Sequence, residues 1–84
     1  MEHNSNQINN VDTSQGDVSV VLADPSTKAL ERSLFFNASG SNRILFSGFN
    51  INGISTFKVL QGGSLEIFSD GSQYLITGGY NFTT

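Results

Sequence analysis

The texture of apolar and polar positions changes near residue 17. Before it, Ile8 and Val11 are the only branched apolar residues, set among Asn, Gln, Ser and Thr. Such a segment buries too little apolar surface to offset the entropy of ordering it. Residues 1–16 therefore read as an extended, flexible polar arm. It is either a frayed terminus or a strap laid across a neighbouring subunit, with Ile8 and Val11 as its anchors. From 17 to 23 the chain is rich in β-branched residues and predicts a first strand. Asp24 before Pro25 is a suitable N-cap and first helical position. It predicts two helical turns over 25–32, with Asp24 and Lys28 spaced for a pair, or else an extended loop.

Three dipeptides punctuate the remainder: Asn52-Gly53, Gly62-Gly63 and Asp70-Gly71, each between runs of strand-forming residues. Type I′ hairpin turns need positive φ at both central positions, and these pairs tolerate it best. Together with a looser turn over 37–42, they predict strands at 33–38, 43–51, 54–61, 64–69 and 72–77. Gly78-Gly79 interrupts the last, which Tyr80 to Phe82 can continue. The expected fold is all-β. Residues 17–84 form one small antiparallel meander of five to six strands, sandwich or barrel-like, behind the arm.

Tight turns also fix register. Residue 45 would pair with 60, 60 with 65, and 65 with 76. One face then carries Leu45, Leu60, Leu65 and Ile76, with Ile67 and Tyr74 beside them and Ser47 and Lys58 next to those. The other face pairs Phe46, Val59, Glu66 and Leu75, flanked by Phe57 and Phe68. Antiparallel sheets commonly leave one face polar, and this one does not. Residues 17–38 can shield one side through Val18, Val20, Leu22, Leu30, Leu34 and Phe36, but hardly both. Either another chain covers the second face, or the sheet closes on itself, or a bulge near Gly48 shifts one strand. The candidate interface residues are thus Ile8, Val11, Phe46, Phe57, Val59, Glu66, Phe68 and Leu75.

Size bears on the same question. A chain of 84 residues buries about 60–65% of its unfolded surface, so its core is marginal. Small domains compensate with disulfides, a structural metal or oligomerisation. There is no cysteine, and the single histidine, His3, lies in the most polar stretch, which leaves oligomerisation. Four basic residues stand against seven acidic ones, and 33–84 hold only Arg43, Lys58, Glu66 and Asp70. Without a basic patch, neither nucleic acid nor an anionic membrane is an expected partner. No basic segment followed by an apolar one opens the chain, and no apolar run reaches the roughly 20 residues needed to span a bilayer. A soluble chain is expected.

Catalysis needs positioned acids, bases or nucleophiles, and few candidates exist. Asp70 is explained by its turn, and Glu66 is a rim residue or the partner of a neighbour's Lys or Arg. Gly62-Gly63 lacks the Lys and the helix of a phosphate loop. The triplets at Asn37 and Asn81 match the glycosylation pattern but read as turn and tail residues. Tyr74 and Tyr80 could stack on a sugar, though a strand Tyr is more often a packed aromatic. No enzyme activity and no cofactor are expected.

In size, polar arm, low charge and lack of cysteine, the chain resembles the small cement or decoration proteins of bacteriophage capsids. Short tail or fibre modules share those features. The resemblance covers architecture and transfers no residue. It implies a structural virion subunit that contacts itself, often as a trimer, and a larger assembly such as a capsid. The alternative is a stand-alone binding module, for example a small phage-type inhibitor that docks a host protein or glycan.

Overall fold

The fold is seen in a computed structural model that describes Met1 and residues 3–84. The strands are β1 (Ile8–Asp12), β2 (Val18–Val21), β3 (Arg32–Ser39), β4 (Ile44–Ser47), β5 (Lys58–Ser69) and β6 (Tyr74–Thr83). One short 3-10 turn, Pro25–Lys28, separates β2 from β3. The expected N-cap is present: the Asp24 carboxylate accepts from the Ser26 backbone N–H at 3.0 Å. The helix stops after one turn, with Leu30 beyond it at φ 63°.

The long strand β5 is the spine of a single curled, mixed sheet that forms a half-barrel. Along one edge it pairs first with β4 (Val59 opposite Ile44) and then with β3 (Leu65 opposite Phe35). Along its other edge runs β6. Each inner neighbour then carries a parallel outer strand, β1 on β3 and β2 on β4. The chain alternates between two halves, β1 and β3 in one and β2 and β4 in the other. The all-β class holds, but the sheet is mixed rather than an antiparallel meander.

Two corrections follow. Ile8–Asp12, expected within a flexible arm, is a strand in the sheet, and Val11 lies in the core at 2% exposure. Hydrogen bonds made by polar side chains, to one another and to backbone carbonyls, order this segment. Thr13 Oγ1 donates to Asn37 Oδ1 at 2.8 Å, Asn42 Nδ2 to the Thr13 carbonyl at 2.7 Å, and Asn9 Nδ2 to the Leu34 carbonyl at 3.0 Å. A polar segment can be held inside a domain when most of its buried polar groups are paired; here, among the described residues, Asn9 Oδ1 is the buried side-chain atom left without a partner.

The second correction concerns Gly62-Gly63, which makes no hairpin. Both residues lie within β5, where the register against β6 shifts between Val59 and Ser64. Gly62 takes φ 71°, and a Cβ on Gly63 would stand 2.5 Å from the Asn81 carbonyl oxygen. The pair serves as a bulge that bends the sheet and lets β6 approach closely. Asn52-Gly53 does form the expected tight turn, at φ 50° and 75°, between Ile51 and Ile54. Asp70-Gly71 belongs to a longer loop, because Ser69 pairs with Tyr74.

The loss of one hairpin inverts which face half of the sheet presents. After Gly63 the expected parity holds: Leu65, Ile67 and Tyr74 are buried. Before it the parity is reversed. Val59, Phe46 and Phe57 point into the core, while Leu45 and Leu60 are only half-buried. The two halves meet through aromatic contact, Phe35 of β3 against Phe46 of β4, centroids 5.2 Å apart and edge to face.

Candidate functional site

The eight candidate interface residues divide into two groups. Val11, Phe46, Phe57 and Val59 are core side chains, each no more than 7% exposed. They cannot meet a partner while the chain is folded; Phe57 packs on Phe82 with ring centroids 6.1 Å apart. Ile8, Glu66, Phe68 and Leu75 share the outer face of the half built from β1, β3, β5 and β6.

Register shows how that face is assembled. Ile8 lies opposite Leu34, and Leu34 opposite Glu66. In the next row Arg32 lies opposite Phe68, and Phe68 opposite Leu75. A third row runs Asn10, Phe36, Ser64, Tyr80. Alternation along each strand sends these side chains outward, where Leu34, Ser64, Glu66, Phe68 and Leu75 are half-buried and Ile8, Asn10, Arg32, Phe36 and Tyr80 are exposed. Ile8 is 61% exposed and Tyr80 72%, with Phe36 at 37%. The outer face of the other half carries Ser19, Ser47 and Lys58 besides Val21 and Leu45, so it is the more polar of the two.

Glu66 sits in the middle row of the apolar face, and Arg32 in the row at one end of it. Among the described residues the one ion pair is Asp17 with Arg43, at 2.8 Å on the surface, so these two charges are not spent on each other. Glu66 Oε1 accepts from Thr77 Oγ1 at 2.8 Å. Together with Asn6, Gln7, Ile8 and Leu34 they line a shallow open pocket of about 300 Å³. Leu34 and Phe36, expected to shield the sheet, instead enlarge its open face. No sequence signal gave this, because the face depends on β1 and β3 lying side by side.

His3 was also misplaced by sequence. It is 6% exposed, with its ring 5.7 Å from Phe35 and 5.5 Å from Tyr74. Its Nδ1 accepts from the Ala23 backbone N–H at 3.1 Å, and its Nε2 lies 2.8 Å from Ser33 Oγ. Burial lowers its pKa from the ordinary 6.5, nearby Lys28 lowers it further, and Glu31 opposes them. Tyr74 donates its hydroxyl to the Ala23 carbonyl at 2.6 Å, and burial pushes its pKa up to about 12.

Among the described residues no three His, Cys, Asp or Glu side chains are grouped to hold a metal ion. No helix among them is long and apolar enough to cross a membrane. Asn37 is a buried strand residue rather than a turn residue, with its side-chain amide bonded to the Asn42 carbonyl at 2.8 Å. No protein-family model and no curated protein matches the chain.

Proposed function

We propose that this chain is a non-enzymatic association module that packs on copies of itself through the outer face of β1, β3, β5 and β6. The observation that carries the reading is that face, where exposed Ile8, Phe36 and Tyr80 lie together with half-buried Leu34, Phe68 and Leu75. Burying such a face compensates for the small core of an 84-residue domain. Arg32 and Glu66 add complementarity, since each can meet the opposite charge of a neighbouring copy in a closed dimer or trimer. The setting proposed with it is a protein shell or fibre, such as a virion, in line with the architectural resemblance to capsid-decorating proteins. Neither nucleic acid nor membrane is part of the reading.

Light scattering behind a sizing column tests it. The wild-type chain is expected to run as a closed oligomer. Phe68→Asp and Leu75→Asp are expected to run as folded monomers with a lower thermal midpoint, since the oligomer's contribution to stability is lost. A wild-type monomer at high concentration would overturn self-association. A second reading, a module that docks a foreign protein or glycan, draws on the pocket between Arg32 and Glu66. It predicts that a monomeric wild type retains a foreign partner that Arg32→Ala and Glu66→Ala lose.

A further inference from the structure

We propose that Met1 and residues 3–7 form a strap that neutral His3 holds shut and that acid releases, while the sheet behind it stays folded. The strap crosses from one half of the barrel to the other. The Met1 ammonium donates to the Ser19 carbonyl of β2 at 2.8 Å. His3 joins Ala23, just beyond β2, to Ser33 of β3. Ser5 Oγ donates to the Glu31 carboxylate, and the Asn6 N–H donates to the Arg32 carbonyl. Among its described residues the one large buried side chain is His3, held between Phe35 and Tyr74.

The hydrogen bonds fix the protonation state. Ala23 N–H is a donor, so Nδ1 must be the unprotonated nitrogen. The ring proton is then on Nε2, where it is donated to Ser33 Oγ. A second proton, on Nδ1, would point at the Ala23 N–H. It would break that bond and place a cation among Phe35, Tyr74 and the backbone of Ala23. Among the described residues, the charged groups around the seat are Lys28 on the 3-10 turn, its N-cap Asp24 and Glu31 ahead of β3. Lys28 acts against the imidazolium and Glu31 for it, while Asp24 faces Tyr74. The Tyr74 phenol stays neutral throughout the range in which a histidine titrates.

The sign follows from linkage. The lowered folded pKa means that the released strap binds more protons than the seated one below pH 6.5. Closure is therefore fully favoured above 6.5 and weakens as pH falls toward the folded pKa. The opening constant rises by at most about tenfold per pH unit within that window. Release also removes Asn6 and Gln7, one wall of the pocket beside Arg32 and Glu66.

The Ala23 amide reports the event directly. Its hydrogen exchange, corrected for the intrinsic pH dependence, would be followed by NMR in the full chain from about pH 7.5 to about pH 5. Protection at Ala23 is expected to fall below 6.5, by at most about tenfold per pH unit and levelling off below the folded pKa, while Leu65 and Ile67 keep theirs. In His3→Gln, which does not titrate, the Ala23 profile is expected to be flat. Constant protection at Ala23 overturns the proposal, as does a parallel loss at Leu65 and Ile67 or an unchanged fall in His3→Gln. The ring proton shifts of His3 in the wild type give an independent check that needs no variant. Titration below 6.5 supports the strap, and titration at or above 6.5 removes its basis.

Discussion

A Cβ added at Gly63 would lie 2.5 Å from the Asn81 carbonyl oxygen and 2.7 Å from that of Tyr80. Both contacts are with backbone, so Gly63→Ala must push β5 and β6 apart. The expected cost is about 1–3 kcal/mol, read from the midpoint of urea denaturation. Gly62→Ala meets no atom within 4 Å and suffers only the strain of its positive φ. At Asp70 the argument is electrostatic. Its carboxylate accepts from the backbone N–H groups of Ser72 and Gln73, each at 2.9 Å, and from the Gln73 side chain at 3.1 Å. These bonds favour the charged form and hold its pKa at about 2 against an ordinary 3.8. The stabilisation is present above 3.8 and lost as pH falls through about 2. A carboxyl carbon shift in Asp70 that titrates near the ordinary value would contradict the loop geometry.

At the scale of elements, the sequence displayed the strands more clearly than their partners. The β-branched run that became β2, the turn at Asn52-Gly53 and the inward set Leu65, Ile67 and Tyr74 were all legible. Gly62-Gly63 was not, because a type I′ hairpin and a bulge both use positive φ. Choosing the hairpin inverted the faces of Phe46, Phe57 and Val59. Nor was β1 legible, since its order rests on distant groups such as Asn37, Asn42 and the Leu34 carbonyl. His3 was hidden for the same reason, with partners at residues 23, 33, 35 and 74. Residues 8–13 are therefore part of the sheet and its hydrogen bonding. Deleting 1–16 removes β1, the buried Val11 and the Thr13–Asn37 hydrogen bond. The truncated chain is expected to lose most of its thermal transition, whereas a free arm would leave the transition in place.

For the whole molecule, the two aromatic substitutions Phe57→Asp and Phe68→Asp separate core from surface. Phe57 is 7% exposed and lies inside, so a carboxylate there is expected to unfold the domain through an unpaired buried charge. Phe68 is half-buried on the open face, so its carboxylate is expected to leave the circular dichroism spectrum intact and lower the solution mass. Equal unfolding by both would place Phe68 in the core as well. The same spine that joins the halves also orders the molecule's assembly in time. Neither half has its central strand until Lys58–Ser69 has been made, and β1, the first strand in the chain, waits for β3 and β5. Contacts this distant in sequence make for slow closure. A chain emerging from the ribosome thus has no early piece that can settle alone, and folding becomes a single late event, with the halves gained or lost together.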